Sequence, residues 1–270
     1  NAAALPLKTP YLFSSQAMNT PILSLKHVDV SRDGTTLLHD ISLDLQKGQI
    51  HMIMGPNGSG KSTLLNSIMG NPSCILEKGS IMLNGKRIQK LAPYERARLG
   101  LSMTFQNPVE LPGVPFAHVV QATREGVSSR FEPSEQHLSP TRLAEKMKEV
   151  MKRVGMDAQF LYRSLNEGFS GGEKKKSELV QLALCKPAIA LIDEIDSGLD
   201  IDALKEACAL LCDLNKAGTA LVIVTHNPSL IEYIQPNIIS ILVGGGIVRS
   251  GGVSLVEELE KKGYEAFSKS

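Results

Sequence analysis

The 270-residue chain contains no apolar run long enough to cross a bilayer. Its longest, at 220–224 and 238–243, fall far short of the roughly 18 residues a span needs. Neither sign of charge is in excess: 29 Lys+Arg stand against 28 Asp+Glu, which argues against a nucleic-acid partner. Cysteine is scarce. The four thiols, at 74, 185, 208 and 212, are too few for a disulfide framework and fit a reducing compartment. These absences predict a soluble, cytoplasmic chain with no direct membrane insertion, which works at a membrane only if a partner brings it there. The length, divided by about 150 residues per domain, gives roughly 1.8, and it can bury a core without staples.

Cys208 and Cys212 stand four apart in a predicted helix, so both could face one metal. They also share the apolar stripe of Leu204, Ala207 and Leu211, where a free thiol behaves as a small hydrophobe. Two thiolates do not close a metal site, so the core reading is preferred. Residues 1–17 carry little charge and no sustained apolar stretch, against a secretory signal. Met18 is a candidate natural start, and the residues before it read as a vector-derived piece, a natural extension or the end of a transit peptide.

Apolar and polar residues alternate over 22–30 and again at Ile41, Leu43 and Leu45, which predicts an antiparallel strand pair at an edge. Continuous apolar runs at 50–54, 188–192 and 220–225 predict strands buried on both faces. Strand–helix alternation implies a parallel sheet with helices on its faces. Residues 115–124 and 140–154 have helical spacing, separated by a Ser-, Glu- and Pro-rich stretch that predicts a polar, mobile loop. A hairpin is expected around 244–246, then a short helical tail from Leu255.

The strongest local signal is Gly55-Pro56-Asn57-Gly58-Ser59-Gly60-Lys61-Ser62, followed by Thr63. It matches G-x-x-x-x-G-K-[ST], between a predicted strand and a predicted helix. Gly58 and Gly60 allow a turn whose N–H groups converge on phosphate oxygens, at the positive end of the helix that follows. Lys61 supplies a point charge to the β- and γ-phosphates, and the Ser62 hydroxyl is placed for Mg²⁺. Residues 188–192 run into Asp193-Glu194, which fit a metal-orienting carboxylate and a group that polarises the attacking water. His226 follows the next strand, at the end where such sheets bind ligands, and is a candidate γ-phosphate contact.

Ser170-Gly171-Gly172-Glu173 opens another predicted helix, a second anion cradle. One nucleotide does not need two cradles on one chain. This one is expected to serve a nucleotide held by a second copy, with ATP joining the two face to face.

Over nearly all of residues 22–252 the chain resembles the ATP-binding-cassette ATPases. The resemblance rests on the phosphate loop, Gln106 at the Q-loop position, Ser170-Gly171-Gly172 as signature, Asp193-Glu194, Ser197-Gly198-Leu199-Asp200 as D-loop, and His226. It implies an α/β P-loop fold with a mixed core sheet, an antiparallel β-subdomain and a helical signature subdomain. It implies ATP and Mg²⁺ as cofactors, with Ser62, Gln106 and Asp193 on the metal and with Glu194, His226, Gln106 and Lys61 catalytic. The expected division is an N-terminal extension (1–21), an ATPase domain (22–254) with a helical insertion at about 107–187, and a tail (255–270).

Within this family the stretches 105–114, 168–175 and 196–204 are similar to the SufC branch, which serves the Suf iron–sulfur cluster assembly machinery. That likeness implies SufB- and SufD-like scaffold partners, and an organelle stroma is possible if the N-terminus is a transit remnant. The alternative is the ATPase subunit of a membrane transporter, although those usually carry Gln where this chain has Glu173. The chain departs from many cassettes in having no aromatic at 30–34 to stack a base. Arg32 could stack there, or be a solvated loop residue. The Lys174–Lys176 run could bridge to acidic groups such as Glu194, or form a solvated helix face.

Overall fold

A computed structural model describes residues 20–127 and 131–267; the expectations for residues 1–17 concern positions outside the described residues. In chain order the strands are β1 (Leu23–Arg32), β2 (Thr35–Leu45), β3 (Ile50–Met54), β4 (Ile75–Leu83), β5 (Lys86–Arg87), β6 (Leu101–Met103), β7 (Leu111–Pro115), β8 (Ser164–Leu165), β9 (Ile189–Asp193), β10 (Ala220–Thr225), β11 (Ile238–Val243) and β12 (Gly246–Gly251). The α-helices are α1 (Lys61–Met69), α2 (Pro93–Arg98), α3 (Phe116–Gly126), α4 (Pro133–Gln136), α5 (Pro140–Arg153), α6 (Gly171–Cys185), α7 (Ile201–Lys216) and α8 (Ser254–Lys262).

The central sheet has the order β12-β11-β3-β10-β9-β6, parallel throughout except for the β11–β12 hairpin. Every residue of β3, β9 and β10 is buried, as continuous apolar strands between two layers must be. The period of two divides them. Leu221 and Ile223 face a core built with α3, α5, α6 and α7, whereas Val222 and Val224 face a core shared with α1 and the antiparallel sheet. This is the α/β mixed-sheet architecture expected from the sequence, with the antiparallel sheet and a helical layer added to it.

Two expectations need correction. The edge pair β1–β2 is part of a four-stranded sheet, β2-β1-β4-β5. The sequence hides β4 because Lys78-Gly79-Ser80 interrupts its alternation, where β1 bulges between Lys26 and Asp29. Gly79, at φ 82°, sits so close that a Cβ would lie 2.3 Å from the His27 carbonyl. The second concerns the stretch between α3 and α5. Its described part is not simply a polar loop but carries the short helix α4, and the buried Arg124 guanidinium stacks on Phe131, 4.0 Å from the ring centroid, and donates to the carbonyls of Leu184 and Glu135. Glu135 in turn bonds Lys146 at 2.6 Å and Lys186 at 3.0 Å, which hold its carboxyl down at about 2.

The cysteines follow the core reading. Cys208 is buried and its thiol is pushed up to about 12 by burial, the opposite of what a metal thiolate needs. No metal-binding cluster of His, Cys, Asp and Glu occurs among the described residues. Nor is any helix among them long and apolar enough to cross a membrane.

Candidate functional site

Strands β3, β6, β9 and β10 are parallel neighbours in one sheet, so they end at one edge. Met54 leads into the glycine loop, Met103 into Thr104-Phe105-Gln106, Asp193 into Glu194, and Thr225 into His226. Four segments far apart in sequence are thereby gathered at the carboxyl ends of the strands, where open α/β sheets bind ligands.

The loop turns into α1 through Gly60 at φ 103°, where a Cβ would lie 2.6 Å from Leu38 Cδ2. Lys61 is buried and folds its ammonium back over the loop, donating to the carbonyls of Gly55 (2.8 Å) and Pro56 (3.0 Å). Burial lowers its pKa, against the opposing pull of Glu194 and Asp193. A cleft of about 580 Å³ opens over Asn57, Gly58, Gly60, Lys61, Ser62 and Thr63, and Gln106 and Glu194 line it.

Ser62 Oγ donates to Asp193 Oδ1 at 3.1 Å. Burial pushes the Asp193 carboxyl up, with Ser62 working the other way. A cation beside this pair would reverse the shift. Ser62 hydroxyl, Asp193 carboxylate and Gln106 amide are all hard oxygen donors, a set that fits Mg²⁺, which needs few protein ligands when phosphates supply the rest.

Glu194 lies just past the strand with a left-handed backbone, φ 46°. Non-glycine residues tolerate this region at a cost, and such strain concentrates at working sites. The turn is fastened by the Glu194 N–H to the Val224 carbonyl (3.1 Å) and the Ser197 N–H to the Glu194 carbonyl (3.1 Å). It aims the carboxylate between two groups: His226 Nδ1 stands 3.2 Å from Oε1, and Gln106 Nε2 donates to Oε2 at 3.4 Å. A carboxylate held between an imidazole and an amide, beside a phosphate cradle, can orient and polarise a water.

A family model described as ABC transporter matches residues 38–197. The chain belongs to the ABC transporter family. It is a P-loop ATPase of the cassette type, and it binds ATP. This cassette is 40% identical over 91% of its length to "Probable ATP-dependent transporter ycf16" of Cyanophora paradoxa, covering 94% of that protein. It is also 40% identical to "Vegetative protein 296" of Bacillus subtilis (strain 168), over 92% of this chain and 94% of the other. Its fold is similar to a solved ATP-binding subunit of an ABC transporter, with TM-score 0.75, 20% identity, 92% of this chain covered and 99% of that one. It is similar too to the dimeric cassette MJ0796 bound to ADP and Pi, with TM-score 0.72, 22% identity, and 86% and 98% covered.

The cassette's structure brings the loop, Gln106, Asp193, Glu194 and His226 together, and leaves the signature apart. Ser170, Gly171 and Gly172 do not line the phosphate cleft. Gly171 lines a neighbouring polar cavity with Asn107, Lys174, Ser197 and Gly198, and Gln106 lines both that cavity and the phosphate cleft; a Cβ at Gly172 would lie 3.0 Å from the Gly198 carbonyl. Glu173 acts locally, as a cap: its carboxylate accepts from Ser170 N (2.7 Å) while Ser170 Oγ accepts from Glu173 N (3.3 Å). Gln closes the same capping box, so this geometry does not separate Glu173 from the Gln of transporter subunits.

The lysine run meets an acidic partner as expected, but it is Glu110 rather than Glu194. Lys174 pairs with Glu110 at 2.7 Å, and Lys176 donates to the Gly155 carbonyl at 3.0 Å. Lys175 is buried and bridges the carbonyls of Phe105 (2.9 Å) and Asp193 (3.0 Å), its pKa lowered first by burial. None of the three is hydrogen-bonded to Glu194. Arg32 is half exposed, 3.7 Å from the Asp33 carboxylate, and does not line the phosphate cleft. Sequence reasoning missed Thr104, whose hydroxyl accepts from Asp193 N at 3.1 Å. It also missed Glu178, a buried carboxyl raised to about 7 by burial, which takes the Phe105 N–H at 2.7 Å. Both depend on pairing between distant segments and leave no local pattern.

Proposed function

We propose that residues 22–254 are the ATP-hydrolysing unit of a Suf-type iron–sulfur cluster assembly complex, in the cytoplasm or an organelle stroma. Two copies close on two ATP molecules, and the tail 255–270 follows the unit. In each site Gly55–Thr63 cradles the phosphates and Lys61 neutralises their charge. Ser170, Gly171 and Gly172 of the partner subunit complete the site. Gln106 and His226 sense the γ-phosphate, and Glu194 accepts the proton of the attacking water. Mg²⁺, when bound, offsets the phosphate charge, and Ser62, Asp193 and Gln106 are the residues that would hold it.

The observation that carries the hydrolytic part is Glu194, set between His226 and Gln106 at the mouth of the phosphate cleft. The separation of the signature from that cleft supports a shared site, because a single copy leaves Ser170–Gly172 without a nucleotide of its own. Closure and reopening are then coupled to hydrolysis and transmitted to SufB- and SufD-like scaffolds. The contact surface is the stretch 106–114 together with the helical insertion; Val109, Leu111 and Val114 are exposed apolar side chains there.

A second reading, the ATPase subunit of a membrane transporter, is favoured by the names of the relatives. Affinity purification of the full chain without cross-linking separates the two. Cluster-assembly scaffolds in the eluate support the first reading. Integral membrane proteins with no scaffold overturn it.

A further inference from the structure

The segment 105–111 carries Gln106 into the phosphate cleft, yet its own packing does not hold it. Phe105 is 45% exposed, Val109 63% and Leu111 38%. Apolar side chains turned outward contribute little to fixing a backbone. What holds the segment is a row of polar bonds from the signature helix α6 and the turn before it. Phe105 N donates to Glu178 Oε1 at 2.7 Å. The Phe105 carbonyl accepts from Lys175 Nζ at 2.9 Å. The Val109 carbonyl accepts from Asn166 Nδ2 at 2.8 Å. Ser177 Oγ, also on α6, donates to Asn166 Oδ1 at 2.7 Å. Leu111 then pairs with Leu165 as β7 meets β8.

Two of these groups serve the link alone. Asn166 is buried at φ 62°, a conformation Asn tolerates better than most residues. It spends both ends of its amide on this link. Glu178 is buried on α6, its Oε2 without a partner. A buried carboxyl is costly, and Phe105 N–H is the hydrogen bond that offsets it.

We infer that Glu178 and Asn166 are positioning residues that fasten 105–111 to the signature helix. Gln106, in one ATP site, then moves as one body with Ser170–Gly172, which serve the other. The consequence for two sites rests on the shared-site reading above; the clamp itself does not. A signature helix drawn toward the partner's nucleotide pulls the Phe105 peptide with it, and so shifts Gln106 against Glu194. Hydrolysis in one site thereby depends on engagement of the other.

The test compares Glu178→Ala, Glu178→Gln and Asn166→Asp with the unaltered chain. Gln keeps the oxygen that accepts Phe105 N–H. Asp keeps the acceptor for Ser177 and loses the donor to Val109. Amide hydrogen exchange on the nucleotide-free chain is expected to quicken at 105–111 by about tenfold or more in E178A and N166D, and to return in E178Q. With ATP, kcat is expected to fall about tenfold in E178A and N166D, KM staying within about twofold, and to be restored in E178Q. Should E178A not fold, the near-isosteric N166D carries both measurements. Unchanged exchange at 105–111 overturns the clamp, whatever the oligomeric state. Faster exchange with unchanged kcat overturns the coupling. Sedimentation of the unaltered chain with ATP, run alongside, reads the shared-site model separately: a persistent monomer overturns that model, and with it the two-site consequence.

Discussion

Glu194 and His226 stand side by side past the ends of β9 and β10, 3.2 Å between Oε1 and Nδ1. The Glu194 side chain is 13% exposed and the His226 side chain 48%, so the pair straddles the boundary between core and cleft. Replacing Glu194 by Gln keeps the shape and removes the proton acceptor. It is expected to lower kcat about 10²–10³-fold with little change in KM, and to leave an ATP-bound dimer that sedimentation detects. Hydrolysis undiminished in E194Q removes Glu194 from the role.

The bond between Ser62 and Asp193 gives a prediction about metal. Asp193 is buried and its carboxyl is pushed up by that burial, so a cation beside it would offset the cost of burying its charge. Asp193→Asn keeps an oxygen for the Ser62 hydroxyl and removes the charge. The Mg²⁺ concentration for half-maximal hydrolysis is expected to rise at least about tenfold, measured by titrating metal at saturating ATP. An unshifted midpoint takes Asp193 out of the metal site.

Much of this was legible in the chain. The buried strands at 50–54 and 220–225 read as continuous apolar runs because both faces of each are covered. The glycine loop, Asp193, Glu194 and His226 each follow such a strand, so local reading located them. The strand at 75–83 was not legible, since a bulge opposite Gly79 breaks its period of two. Nor were Lys175, Glu178 and Asn166, whose roles arise only when α6 packs against 105–111. Three consecutive lysines look alike in sequence; the turn of the helix buries one and leaves its neighbours half-buried.

Arg96 shows the same limit. Its buried guanidinium donates to the carbonyls of Ser67 (2.9 Å), Ile68 (2.8 Å), Leu91 (3.0 Å) and Gln89 (3.2 Å). The first two lie in the last turn of α1, where orphan carbonyls and the negative end of the dipole favour a cation. Gly70 fits because a Cβ there would lie 2.6 Å from Arg96 Cζ. Arg96→Met removes all four hydrogen bonds and is expected to cost about 3 kcal/mol of stability. Urea denaturation checks this. A loss under about 1 kcal/mol shows that water replaces the guanidinium without strain.

His51 ties the stability of the fold to pH. It sits in β3 with Nε2 2.8 Å from Ser240 Oγ, and its Nδ1 has no partner. Burial drops its pKa from 6.5 to about 4, so the folded chain keeps the ring neutral where the unfolded chain protonates it. Stability from this residue is therefore complete above an unfolded pKa of about 6.5 and drains away as pH falls toward about 4. The full loss is on the order of 3 kcal/mol. His51→Gln offers Ser240 a partner and cannot titrate, so its urea midpoint should fall less than that of the unaltered chain between about pH 7 and pH 4.5. Parallel decline of the two midpoints would mean that His51 is not the group that fails in acid.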